Sequence, residues 1–397
     1  MMDPATLAVL AALTADGTPA RFVGGCVRDA VAGLPVKDVD VATPLPPDEV
    51  ARRIAAAGLR AVPTGIEHGT VTAVSGGRPF EITTLRRDVA TDGRRAVVAF
   101  TDDWDEDASR RDLTFNALSL EPDGRLHDPF GGLDDLAAGR VRFIGDPRQR
   151  IREDVLRLLR FFRFLARYGR QPPADDQLAA CRELAPLLPR LSGERVRAEL
   201  LRLLSAEDPL PAWRPMIAEG ILDHVLPEAV DPARLERMAA HDRALGLAPD
   251  GLLRLAAAIG GDGRAAAERL RLSNAERDRL LRALTPPWPV VPDMGERERR
   301  RALYRLGADG YRDLAMLAAA GDPAADGGVL RDDLAAAAAW DPPAFPLKGS
   351  DALERGVPAG PRVGELLAAV EAWWEEADFR PGRDACLAEL ERRIALT

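Results

Sequence analysis

Over roughly the first 140 residues, short alternating apolar and polar runs take turns with segments of helical spacing. Residues 21–23, 38–42, 70–74 and 79–85 read as strands, and 27–32 and 47–57 as helices. Ser75-Gly76-Gly77 separates two of the strand runs and predicts a hairpin turn. Pro122-Asp123-Gly124 does the same between runs 113–120 and 125–128. The polar stretch 86–110, rich in Asp, Arg and Gly, reads as a mobile loop. From 148 to 397 the strand signal stops and apolar residues recur at helical spacing. Breaks are expected near 205–211, 286–292 and 341–346, where proline interrupts the pattern. The expected fold class is α+β: a mixed sheet with helices, then an all-α remainder.

Length and charge narrow this picture. A chain of 397 residues is expected to hold more than one domain. The Ala/Leu-rich stretch after Pro4 reads as a helix and not as a signal peptide, and no apolar run approaches the ~20 residues that span a bilayer. Cys26, Cys181 and Cys386 are scattered, and the reduced cytoplasm is the expected compartment. A net charge of −9 taken alone argues against nucleic acid. Between residues 140 and 170, however, ten arginines face only Asp146, Glu153 and Asp154, and a local basic surface matters more than the total.

Four blocks carry chemistry. In Gly24-Gly25-Cys26-Val27-Arg28-Asp29, two glycines open a helix, where backbone can approach a phosphate. Asp38 and Asp40 follow on a predicted strand, on one face because side chains alternate. Paired carboxylates of this kind suit Mg²⁺, so the two blocks together describe a nucleoside triphosphate meeting metal. Asp29 is expected to pair with a neighbouring arginine. Glu81 stands in a β-favouring run and could complete the metal site or accept a proton. In the block 110–118, Arg111 could hold triphosphate oxygens, while Asp112 and Asn116 could read ribose hydroxyls. In the last block Asp154, Arg157, Arg160 and Arg163 recur every third residue, which predicts one helix face. An Asp acceptor beside an Arg donor matches the amine and ring nitrogen of cytosine and adenine, and mismatches uracil and guanine. Arg160 and Arg163 would then be free for phosphate.

With Glu67-His68-Gly69-Thr70-Val71 and Asp128-Pro129-Phe130-Gly131-Gly132, these blocks occur in order over about 170 residues. In this the chain resembles the class II tRNA nucleotidyltransferase and bacterial poly(A) polymerase family of the DNA polymerase β-like superfamily. The resemblance implies a nucleotidyltransferase head (1–140), a helical neck that recognises the base (141–205), a body (206–290) and a tRNA-binding tail (291–397). It implies two Mg²⁺ on Asp38 and Asp40, triphosphate on Gly24, Gly25, Arg28 and Arg111, and Asp154 with Arg157 as a template for CTP and ATP. The partner implied is the 3′ end and acceptor/TΨC region of tRNA, with no membrane and no obligate protein partner. A loop at 86–110 favours complete CCA addition over CC addition alone. The run 63–67 departs from the basic run of the polyadenylating members.

Overall fold

The computed structural model describes every residue except Met1, Glu67, His68, 92–95, Asp231, Asp293 and Thr397. Its described residues fall into two compact units, 1–232 with 249–251 and 265–273, and 233–248 with 252–264 and 274–397.

The first unit opens with helix α1 (Pro4–Thr14), capped by Asp3, whose carboxylate accepts from the Ala5 and Thr6 amides. The strands β1 (Arg21–Val23), β2 (Asp40–Thr43), β3 (Arg60–Gly65), β4 (Thr70–Ser75), β5 (Arg78–Thr84), β8 (Ser119–Leu120) and β9 (Leu126–His127) form one sheet in the order β3-β4-β5-β2-β1-β8-β9. Among the described residues, only β2 and β5 pair in parallel. Helices α2 (Gly25–Val31) and α3 (Pro47–Ala56) supply the connections. Val41, Val71, Ala73, Phe80 and Ile82 are buried on one side of the sheet, and their neighbours in sequence face the other. The Gly76-Gly77 turn has φ of +57° and +75°, and Ser75 pairs with Arg78, as a two-residue hairpin requires.

Several expectations need correction. The strand expected at 38–42 begins at Asp40, so Asp38 lies in the segment before it. Residues 114–116 form a 3-10 turn, not a strand, and Leu113 makes a single bridge to Phe143. Strand β3 went unread because Pro63 interrupts it, which is tolerated at a sheet edge. The stretch expected as a loop instead holds a two-stranded sheet, β6 (Arg86–Thr91) with β7 (Ala96–Phe100), and helix α4 (Trp104–Ser109). Residues 92–95 of that expectation lie outside the described residues.

Helices α5 (Gly132–Ala138), α6 (Pro147–Glu153), α7 (Leu156–Tyr168), α8 (Asp175–Leu184) and α9 (Gly193–Leu204) continue the unit. Leu158, Phe161, Phe162 and Leu165 bury the apolar stripe of α7, with Phe161 stacked on Phe143 at 5.2 Å. All the elements of the second unit among the described residues are helices, with Trp374, Val370 and Leu390 in the core of its last two. The gaps at 205–209, 285–295 and 340–348 fall at the expected breaks. No helix among the described residues is long and apolar enough to cross a membrane.

Candidate active site

Strand register sets the centre of the site. Asp40 pairs directly with Glu81 across β2 and β5, and Asp38 stands two residues earlier, exposed. Burial and the neighbouring Glu81 push the Asp40 carboxyl up to about 6 against the pull of Arg111, and Asp38 adds to the push. Among the described residues no donor is hydrogen-bonded to either aspartate side chain. Such unrelieved negative charge fits a cation. No group of three side-chain metal ligands occurs among the described residues; a Mg²⁺ held by the two aspartates would take its other positions from substrate phosphates and water, the environment this ion favours.

The raised Asp40 value has a measurable consequence for stability. The folded chain holds a proton on Asp40 that the unfolded chain has lost between pH ~4 and ~6. Asp40 therefore destabilises the metal-free fold progressively as pH rises through that window, by at most about 3 kcal/mol. Asp40→Asn should raise the melting temperature of metal-free protein at pH 7.5 and leave it nearly unchanged at pH 4. An equal shift at both pH values would contradict this.

Gly24 has φ +67°, and a Cβ there would lie 2.8 Å from the Arg111 guanidinium. The absent side chain is thus the space that Arg111 occupies. Arg111 is held by the buried Asp107 carboxylate at 3.2 Å and by the Asn116 carbonyl at 3.4 Å. Asp107 also takes Arg110 at 2.6 Å and the Arg86 amide at 3.3 Å, which ties the foot of the β6–β7 hairpin to the same carboxylate. Gly24→Ala should displace Arg111 by about 1 Å and lower kcat/KM for nucleotide about 10²-fold. Gly25→Ala should do far less, because its nearest neighbour would be 3.6 Å away.

Arg28 is buried against the rings of Phe164 and Tyr168, its guanidinium carbon 4.9 and 4.8 Å from their centroids. It donates to Asp29 at 3.0 Å and to the Asn116 side chain at 2.6 Å. Asp29 also accepts from the Tyr168 hydroxyl, so it pairs as expected. Asn116 donates in turn to Asp112 at 2.8 Å, and Asp112 accepts from the Leu113 amide and from Arg160 at 2.6 Å. Burial alone would raise the Asp112 carboxyl, yet the Arg160 charge and these bonds bring it down to about 2. Arg28, Asn116, Asp112 and Arg160 therefore form one chain of contacts from α2 to α7. The Asp128 block supports it from below: Asp128 caps α5 through the Gly132 and Leu133 amides, and a Cβ on Gly132 would meet the Thr114 carbonyl at 2.5 Å.

The last block differs from its expected helix face. Asp154 has extended backbone (φ −149°) and sits at the break between α6 and α7, whereas Arg157, Arg160 and Arg163 lie on α7. The arginines expected to be free for phosphate are paired. Arg160 binds Asp112, and Arg163 binds the buried Glu199 at 2.5 Å, because charges packed between helices need compensation. Arg157 binds Glu153 at 2.6 Å and the Arg110 carbonyl at 2.7 Å. Asp154 is bound instead by Arg195 of α9, at 3.1 and 3.0 Å to its two oxygens. Arg195 was missed, since nothing local in sequence links residues 41 apart. Its carboxylate partner keeps lone pairs for a further donor.

A family model described as "Poly A polymerase head domain" matches residues 20–142, and one described as "Probable RNA and SrmB- binding site of polymerase A" matches 174–231. The chain is 32% identical over 396 residues to the Mus musculus protein named "CCA tRNA nucleotidyltransferase 1, mitochondrial", covering 94% of this chain and 86% of the relative. It is 40% identical over 238 residues to a CCA-adding enzyme of Streptococcus gordonii, covering 58% of this chain and 57% of that one. A solved CCA-adding enzyme of Bacillus stearothermophilus, in complex with CTP, is similar with a TM-score of 0.81 at 28% identity, over 100% of this chain and 99% of that one.

Proposed function

We infer the reaction from one premise: this chain belongs to the family of CCA-adding tRNA nucleotidyltransferases. We propose that it adds C, C and A in turn to the 3′ end of tRNA from CTP and ATP, releasing pyrophosphate. The observation that carries this is Asp40, set in register beside Glu81 and facing an Arg111 locked over Gly24.

Asp38 and Asp40 would hold Mg²⁺, two ions of which, when bound, neutralise charge on the attacking and leaving oxygens. Arg111, fixed by Asp107, supplies positive charge to the triphosphate without having to reorganise. Arg28 supports the same side, its orientation set by Asp29 and Asn116. Glu81 takes the proton from the attacking 3′-hydroxyl in this reading, which its register position opposite Asp40 supports. Asp154 accepts a hydrogen bond from the exocyclic amine of cytosine or adenine, and Arg157 donates to the adjacent ring nitrogen through the N–H groups left beyond Glu153 and the Arg110 carbonyl. Arg160 and Arg163 hold α7 against Asp112 and Glu199, and in this reading steady the template. Asp112 and Asn116, already engaged with each other, reach ribose only through their remaining hydrogen-bond capacity.

On this reading 1–140 is the catalytic head, 141–205 the base-choosing neck, and 206–290 and 291–397 the body and tail that grip tRNA by its backbone. The cytoplasm proposed for it is a compartment that keeps its three buried cysteines as thiols. Polyadenylation is the alternative that the head model's description raises. Incubation with ATP alone and an RNA unrelated to tRNA separates the two. The proposal expects no extension, and long A tails would overturn it.

A further inference from the structure

An in-line displacement places the attacking oxygen opposite the departing pyrophosphate. Here the pyrophosphate side is set by Gly24 and Arg111, beside β1 and α2. The acceptor must then arrive from the other side of Asp40, across β5 and β4. On that face Glu81 is exposed, and Thr70, Thr72 and Thr83 are half-buried around it. Register lines them up. Glu81 pairs with Asp40 on one side and Thr72 on the other, and Thr83 pairs with Thr70 one step along. Neighbouring strands lie about 4.8 Å apart, so Thr72 stands about 10 Å from Asp40, the breadth of one nucleotide sugar and its phosphate. The Thr70 and Thr83 hydroxyls approach each other only to 3.5 Å, at the limit of a hydrogen bond, and keep capacity for another partner.

We propose that this threonine-lined face, with Glu81, seats the terminal ribose of the RNA acceptor and senses its 2′-hydroxyl. The inference rests on the nucleotidyltransferase reading above and adds the acceptor side to it. Hydroxyl and carboxylate groups that recognise a 2′-hydroxyl are what let a protein tell RNA from DNA. The face carries no arginine among these four residues, so it reads the sugar and leaves phosphate charge to other surfaces.

The test uses the full chain, ATP, and a tRNA ending in CC whose last ribose is either intact or 2′-deoxy. With unaltered protein the deoxy acceptor should raise KM about tenfold, the loss of one well-placed hydrogen bond. Thr83→Val, which keeps the strand, should raise KM for the intact acceptor by a similar factor, add little with the deoxy acceptor, and leave KM for ATP unchanged. Thr83→Ser should restore the intact-acceptor value, which a role confined to methyl packing would not allow. Equal use of both acceptors by the unaltered protein, or a Thr83→Val protein that still discriminates fully, would overturn the proposal. Failure of the unaltered protein to extend either acceptor would overturn the underlying reading as well.

Discussion

Asp40→Ala is expected to lower nucleotide incorporation by about 10³-fold or more while leaving tRNA affinity near its starting value. Asp40 is the half-buried member of the carboxylate pair, and its charge is raised in energy by burial and by Glu81. A group in that condition favours any cation that joins it, so in the proposed reaction its loss would remove charge neutralisation at the reacting phosphorus. Removing Asp40 should not unfold the head, because the same carboxylate destabilises the metal-free fold. Incorporation by quenched flow, with tRNA binding by filter retention and thermal melting in parallel, checks all three statements. Full incorporation by the variant would move the metal site elsewhere.

The second large effect concerns base choice. A site built on hydrogen bonds to a base can reject the wrong partner by ~10⁴, because its polar groups are then left unpaired. Asp154→Ala should reduce the preference for C and A over U and G to tens, with a much smaller change in KM for CTP. Arg195→Ala should produce a milder version, about tenfold, because Arg195 orients both oxygens of Asp154 and does not itself define the acceptor. Single-nucleotide incorporation with each of the four triphosphates measures both. An unchanged preference in Asp154→Ala would refute the template.

Much of this site was legible in sequence because its signals are local. Alternation in β4 and β5 and the Gly-Gly turn between them follow from residues adjacent in the chain. The same locality explains the misses. A spacing of three fits Asp154 and Arg157 on one helix, yet the chain breaks there, and spacing carries no information about the backbone angle at Asp154. Composition made 86–110 look irregular, although Ala96-Val97-Val98-Ala99-Phe100 carries a strand-favouring run and Asp103 caps α4. The pairing of Arg160 with Asp112 and of Arg163 with Glu199 joins residues 48 and 36 apart, so an arginine on an apparently exposed face was read as free. The glycine pair predicts a close approach of phosphate to the backbone, and the structure adds a second reason for Gly24, the room taken by Arg111.

The most direct test of the central claim, a metal site that transfers and a protein template that chooses, is a stepwise extension assay. Purified protein is given tRNAs ending before CCA, after C and after CC, with CTP, ATP, UTP and GTP singly and together. Each substrate should grow only to a complete CCA end and stop, with U and G refused at every step. Continued growth past A, or incorporation of U or G at rates comparable to C and A, would contradict it.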